Sequence, residues 1–167
     1  MGKEDAQGSA FAIRTDNTLW AWGSNALGEA GVNSTAVLCY SSPVQIPGTT
    51  WCKATSGIDT HMALRTDGTL WVWGTGTNGN TGQNVVTAAS SPTQLAGTWI
   101  DMTTHIDGRL AVKNDNTLWS WGLNTNGQLG QSDRVHRSSP TQIPGTTWCA
   151  VSSSDKAEVY LQIRQFD

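Results

Sequence analysis

Three kinds of residue in this chain of 167 residues could carry chemistry: a glycine-rich loop, three histidines and three cysteines. The loop Gly74–Gly79 reads G-T-G-T-N-G and follows a short apolar run, as a dinucleotide-binding loop does. Such a loop must open a helix, whereas the residues that follow it, N-T-G-Q-N, have low helix propensity. The corresponding loops at 23–28 and 122–127 lack the middle glycine. We therefore expect a turn at this place and no cofactor.

The histidines, His61, His105 and His136, lie in three unrelated sequence contexts and form no recurring spacing with cysteines or carboxylates. No metal-ligand pattern and no nucleophile–base pair follows from them. We predict no catalytic and no metal-binding residues, and a chain that is not an enzyme. For His61, which precedes a strand-like run, we expect a core or edge histidine whose hydrogen bonds are satisfied within the fold.

The cysteines, Cys39, Cys52 and Cys149, are odd in number, so one chain cannot pair them all in disulfides. Cys52 and Cys149 each follow a tryptophan, and Ile100 takes the same place between them. A position shared by cysteine and isoleucine indicates a small apolar slot in the core.

Three aspartates, Asp16, Asp67 and Asp115, could be imagined as calcium ligands, but each opens a turn sequence of the form D-[NG]-T. Asn and Gly tolerate the left-handed backbone of a tight turn, and the Asp carboxylate can accept hydrogen bonds from nearby backbone N–H groups. Turn formation accounts for the aspartates without an ion.

These turns belong to a tandem repeat with a period near 49 residues. The octapeptides DNTLWAWG, DGTLWVWG and DNTLWSWG begin at the three aspartates, 51 and 48 residues apart. A block S-S-P-[VT]-Q-[IL] follows each octapeptide, and a block G-T-(T)-W follows at Trp51, Trp99 and Trp148. We divide the single domain 1–167 into repeats at about 10–56, 57–104 and 105–153, with a partial repeat at 154–167.

Each octapeptide reads as a turn followed by a strand that is apolar on both faces. In Leu70-Trp71-Val72-Trp73 the two tryptophans point one way and the aliphatic residues the other. A strand of this kind lies between two other sheets. We therefore predict that six tryptophans pack neighbouring sheets together or serve assembly: Trp20, Trp22, Trp71, Trp73, Trp119 and Trp121.

With about four short strands per repeat, the period is typical of β-propeller blades. The octapeptide, followed by S-N-A-L-G-E-A-G or L-N-T-N-G-Q-L-G-Q, resembles the repeat of the regulator of chromosome condensation. The resemblance covers nearly the whole chain and implies an all-β fold of propeller blades. It implies much less about function, because such repeats occur in unrelated binding, exchange-factor, bacterial and phage-associated proteins.

Three blades and part of a fourth cannot close a propeller, which needs roughly four to eight. We therefore predict an incomplete propeller that other chains complete, as a homo-oligomer or a hetero-assembly. Residues Val159, Tyr160, Leu161, Ile163 and Phe166 are predicted to form a C-terminal docking strand. A threefold β-trefoil, which closes alone, is the alternative fold.

Composition narrows the function classes. The net charge is −3 and the basic residues are scattered, so no basic stripe for nucleic acid exists. No run approaches the length of a membrane span, and no signal peptide is evident, as expected of a protein in the cytoplasm or a virion. We predict a non-catalytic structural or interaction module, for example in a phage particle. The alternative is a lectin-like module that stacks glycans on an uncovered tryptophan.

Overall fold

The computed structural model describes residues 8–104 and 108–152, which fold into eleven strands in three antiparallel sheets. The first sheet contains β1 (Ser9–Ile13), β2 (Leu19–Ser24) and β3 (Cys39–Ile46). The second contains β4 (Trp51–Ser56), β5 (Thr60–Arg65), β6 (Leu70–Gly74) and β7 (Ala89–Leu95). The third contains β8 (Trp99–Thr104), β9 (Gly108–Lys113), β10 (Leu118–Gly122) and β11 (Arg137–Ile143). Each sheet pairs its strands in chain order, and a 3-10 turn, Thr77–Gly79, follows β6.

The sheets are offset by one strand from the sequence intervals given above. The strand that begins with the G-T-(T)-W tryptophan ends one interval but is the first strand of the next sheet, as β4 and β8 show. The first sheet therefore has three strands among the described residues. Its β1 corresponds to β5 and β9, which pair with β4 and β8, but no strand within 8–104 and 108–152 pairs with the outer edge of β1.

The turns before each tryptophan strand have the predicted left-handed residue. Asn17, Gly68 and Asn116 have φ angles of 61°, 80° and 60°. The strands on either side of each turn pair in regular register. The pairs next to the turn are Ile13 with Leu19 in the first sheet and Leu64 with Leu70 in the second. The tight D-[NG]-T reversal is therefore confirmed.

The core lies between the sheets, which pack face to face. One cluster joins Leu19, Ala21 and Ile46 of the first sheet to Trp51 and Trp73 of the second. A second cluster joins the opposite face of the second sheet to the third, and its largest members are Met62, Leu70, Val72, Trp99 and Trp121. Both faces of β6 are thus buried, as the alternation predicts. The described strands form separate stacked sheets and not the closed threefold barrel of a trefoil.

The expectation of a small core slot at the cysteine positions is wrong. Cys52 is exposed, and Ile100 is 45% exposed. The pairing register shifts between Trp51 and Lys53 and between Trp99 and Asp101, which makes this residue the extra one of a β-bulge. A bulge interrupts the in–out alternation, so the side chain after the tryptophan points away from the core. Cys39, Cys52 and Cys149 form no disulfide within the described part of the chain.

Candidate functional site

The repeated octapeptide forms a chain of three hydrogen bonds within each hairpin. In the second sheet the Asp67 carboxylate accepts from the backbone N–H of Thr69 (2.9 Å) and from its hydroxyl (2.7 Å). The same hydroxyl accepts the indole N–H of Trp71 at 2.9 Å. The threonine therefore links the turn to the first tryptophan of the pair, and it holds the pKa of Asp67 below the ordinary value. The same bonds occur in the other two hairpins, at Asp16–Thr18–Trp20 and Asp115–Thr117–Trp119.

In the second and third sheets, the second tryptophan of the pair reaches the preceding sheet. The indole N–H of Trp73 donates to the Glu29 carbonyl at 2.8 Å, and that of Trp121 donates to the Asn80 carbonyl at 3.1 Å. Both rings are 0% exposed. In the first sheet, Trp22 occupies the same position but is partly exposed and has no acceptor among the described residues. It also lies outside the hydrophobic clusters of the described chain.

Cations stack on the first tryptophans. The Arg65 guanidinium lies in the angle between Trp51 and Trp71, whose rings meet edge to face, and is 4.4 and 4.3 Å from the ring centroids. Arg14 takes the same place in the first sheet and stacks on Trp20 at 4.0 Å, but no second ring of the described chain covers its other side. The outer face of the first sheet is formed by Ala10, Ala12, Trp20 and Trp22 and is called here the Trp20/Trp22 face. It is a copy of the faces that pack inside the protein, and no sheet among the described residues covers it.

Lys113 replaces the arginine at the boundary between the second and third sheets and leaves a cavity there. Its ammonium lies 3.9 Å from the Trp119 centroid and 5.0 Å from that of Trp99. The cavity has a volume of about 360 Å³ and is open to solvent. It is lined by Gly82, Gln83, Asn84, Leu95, Ala96, Trp99, Lys113, Trp119 and Pro140. Sequence reasoning missed this cavity, because it depends on the shape left between two sheets.

His61 is buried at the boundary between the first two sheets. Its Nε2 lies 3.0 Å from the Ser9 hydroxyl, and its Nδ1 lies 3.1 Å from that of Ser56. Burial, with a smaller contribution from the charge of Arg109, lowers the pKa of His61 to about 3. A neutral imidazole with a pKa this low is a poor general base at neutral pH. The geometry fits the structural hydrogen-bonding role expected for His61.

The variable loops of the three sheets expose aliphatic side chains. Leu38 is 67% exposed, Val86 67% and Val135 59%, and each lies shortly before the S-S-P block of its repeat. These loops follow equivalent strands and are natural places for specificity.

Three further expectations concern the C-terminal docking strand, metal ions and membrane spans. The docking strand predicted at 159–166 lies outside the described residues, as does His105. No cluster of three or more metal-ligating side chains occurs within 8–104 and 108–152. No helix in these ranges is long and apolar enough to cross a membrane.

Comparisons with known proteins agree with this geometry. The family model "Regulator of chromosome condensation (RCC1) repeat" matches residues 115–156, so the chain carries a repeat of this type. Prp20p from Saccharomyces cerevisiae is similar in structure, with a TM-score of 0.74, 21% identity, and coverage of 83% of this chain and 36% of that one. Human WBSCR16 has a TM-score of 0.72 and 23% identity, with coverage of 87% and 39%.

A second structure of the yeast protein, described as Kap60 bound to yeast RCC1 (Prp20), has a TM-score of 0.75 and 21% identity, with coverage of 83% and 35%. The chain thus spans little more than a third of the length of these proteins. A search of curated sequences finds no match. The fold is that of RCC1-type β-propeller blades, as predicted from the octapeptides.

Proposed function

We propose that the chain is a non-catalytic interaction module that docks through its Trp20/Trp22 face onto a chain that carries blades of the same kind. The observation behind the proposal is the contrast between Trp22, partly exposed and without an acceptor, and Trp73 and Trp121, fully buried and hydrogen-bonded. A face of this composition is complementary to the aliphatic side of another blade.

The size of the uncovered surface supports docking. A buried Trp removes about 150–250 Å² from water, at about 25 cal/mol per Å². Trp20 and Trp22 are both partly buried already, so docking would remove at most about a third of that area from each ring. By area the two rings would contribute on the order of 3–4 kcal/mol at most. That amount is a large fraction of the stability of a typical domain, which is about 5–15 kcal/mol.

The similar structures show what this fold can do elsewhere. The yeast protein is described with binding properties to Gsp1p and histones, and in a complex with Kap60. We extend to this chain only the general property of binding proteins. An assembly of many chains, such as a phage particle, is a setting in which a blade with an uncovered face would be used.

Thermal unfolding at several protein concentrations tests the proposal. If another chain covers the Trp20/Trp22 face, the melting temperature rises over about a hundredfold increase in concentration, because association stabilises the folded state by mass action. Trp22→Ser should remove this dependence, whereas Leu38→Ser, at an exposed loop position, should keep it. A melting temperature that is independent of concentration in the unmodified chain contradicts the proposal.

A second candidate function is carbohydrate binding in the cavity beside Trp119. Two tryptophans, a lysine and two side-chain amides line it, and this mixture of ring faces and polar groups suits a sugar that carries a carboxylate. Titration with acidic and neutral monosaccharides tests this candidate, with Trp119→Ala and Lys113→Met as variants. Binding of neither class, or binding that both variants retain, rejects it.

A further inference from the structure

We infer that the partner is a second copy of this chain, and that its first sheet completes a fourth blade begun by residues 147–152. This inference rests on the proposed function and adds the identity of the partner and the register of the contact. One copy supplies the first strand of the blade and the other supplies strands two to four. The contact is head-to-tail, because the two surfaces that meet are different.

Residues 147–152 already lie where the first strand of a fourth blade belongs. The tryptophan that opens each sheet donates its backbone N–H to a carbonyl in the hairpin turn of the preceding sheet. This bond occurs three times, from Trp51 to Asn17 (3.0 Å), from Trp99 to Gly68 (2.8 Å) and from Trp148 to Asn116 (3.1 Å). Trp148 and Val151 also pack on Leu110, Val112 and Leu118 of the third sheet. The segment has no strand partner among the described residues.

Each contact between neighbouring sheets joins a residue of one sheet to a residue of the next, and a residue that lacks its counterpart is called here a half-site. The cation stacks show the first pair of half-sites. Arg65 and Lys113 each lie between two tryptophans, one from the hairpin and one from the first strand. Arg14 stacks on its hairpin tryptophan only, whereas Trp148 stacks on no cation of the described chain. In a completed blade, Arg14 of one copy lies between its own Trp20 and Trp148 of the other copy.

The turn glycines show the second pair. A Cβ on Gly28 would lie 2.5 Å from Cα of Ser90, and one on Gly79 would lie 2.3 Å from Cα of Ser138, because the S-S-P block of the next sheet crosses them closely. At Gly127 the nearest described atom would be 3.9 Å away, so no described residue fills the equivalent place. The corresponding serine of the first sheet, Ser41, is exposed.

The indole bonds show the third pair. Trp73 donates to the carbonyl of Glu29 and Trp121 to that of Asn80, both in the loop just after the turn glycine. Gln128 holds this place in the third sheet. Its carbonyl is the matching acceptor for Trp22 of the second copy.

Each half-site found on the third sheet matches a residue of the first sheet, which is why a second copy fits these places better than residues 153–167 do. Residues 153–167 contain no tryptophan and no S-S-P block. They could add a strand beside 147–152, but they cannot supply the indole or the serine that these places receive elsewhere.

The number of blades is consistent with closure. Each copy contributes the second and third sheets and a shared blade, so two copies give six blades, within the range in which propellers close. The register of the shared blade follows from that of β4 and β5 in the second sheet, where Trp51 pairs with Arg65 and Ala54 with Ala63. It places Trp148 of one copy opposite Arg14 of the other, and Val151 opposite Ala12.

Cysteine cross-linking between differently tagged full-length chains tests this register. In a background in which Cys39, Cys52 and Cys149 are replaced, one chain carries Ala12→Cys and the other Val151→Cys. We expect a disulfide-linked heterodimer from the mixture and no link from either chain alone. Gln45→Cys with Val151→Cys is the matched control, because Gln45 is exposed on the opposite edge of the first sheet. The melting profile of each variant checks that it is folded.

The outcomes separate this inference from the proposed function. A link between Ala12→Cys and Val151→Cys, absent with Gln45→Cys, supports it. An oligomer without this link, or links between two Val151→Cys chains, overturns the head-to-tail contact but leaves the docking of the Trp20/Trp22 face in place. A folded, monomeric chain, whose melting temperature does not depend on its concentration, overturns both the second copy as the partner and the docking of the Trp20/Trp22 face.

Discussion

The indole N–H of Trp73 donates to the backbone carbonyl of Glu29 at 2.8 Å, across the boundary between the first and second sheets. This bond, with its counterpart from Trp121, defines how one blade of this protein fits the next. Trp22 has the same sequence context and lacks the neighbour. The difference between these equivalent tryptophans is the basis of the proposed function.

The Thr69 hydroxyl acts as a relay between the Asp67 carboxylate and the Trp71 indole, and replacing it should destabilise the hairpin. Thr69→Val removes the hydroxyl that donates to Asp67 and accepts from Trp71. We expect a loss of about 1–2 kcal/mol in the free energy of unfolding, because a half-buried indole N–H loses its acceptor. Urea denaturation followed by fluorescence measures the loss. Thr69→Ser, which keeps the hydroxyl, should lose much less, and an equal loss in both variants contradicts the relay.

His61 should make stability depend on pH in mildly acidic solution. Its pKa is about 3 in the folded chain and 6.5 in the reference state, so below pH 6.5 the unfolded chain binds a proton that the folded chain does not. Stability from this residue is therefore complete above pH 6.5 and falls towards pH 3, by up to about 1.4 kcal/mol per pH unit. Denaturation at pH 7, 6 and 5 measures the slope.

The control for this pH dependence is His61→Gln, which can still bond Ser9 and Ser56 but does not titrate. The aspartates of the turns also lose stability in acid, because their pKa values are lowered from 3.8, but only at lower pH. Between pH 6.5 and 5 the free energy of unfolding of the variant should therefore change less with pH than that of the unmodified chain. An identical slope assigns the effect to other groups.

Two glycines with the same backbone angle provide a matched pair of substitutions. Gly79 and Gly127 both have φ of +77°, so alanine at either position costs about 1 kcal/mol in strain. Gly79→Ala also drives a Cβ into Ser138 and should destabilise the chain much further, in a denaturation experiment. Gly127→Ala should lower the free energy of unfolding of the single chain only by this strain. It should nevertheless abolish self-association, because Ser41 of the second copy needs that space. Equal self-association before and after Gly127→Ala would contradict the proposed contact.

Lys113→Arg should fill the cavity beside Trp119. Arg65 occupies the equivalent position with its guanidinium between two rings, and a planar guanidinium covers more ring surface than an ammonium. We expect a gain of about 0.5–1 kcal/mol in the free energy of unfolding. A loss of stability would show that the two boundaries differ in more than this residue.

The sequence predicts the repeat, the hairpin turns and the two apolar faces, because each depends on local chemistry that recurs three times. Asp16 and Asn17 specify a turn, and the alternation Leu70-Trp71-Val72-Trp73 specifies the faces. It does not predict that Cys52 and Ile100 point outward, since a bulge arises from how two strands pair. Nor does it separate Trp22 from Trp73, which have the same local sequence and differ only in what packs against them.

The mass of the full chain in solution tests the central claim most directly. Light scattering at micromolar concentration should give twice the chain mass of 17.8 kDa, and Trp22→Ser should reduce it to that of one chain. Leu38→Ser should leave it unchanged. A folded chain of 17.8 kDa that melts cooperatively, with the Trp20/Trp22 face covered by its own residues, would contradict the account.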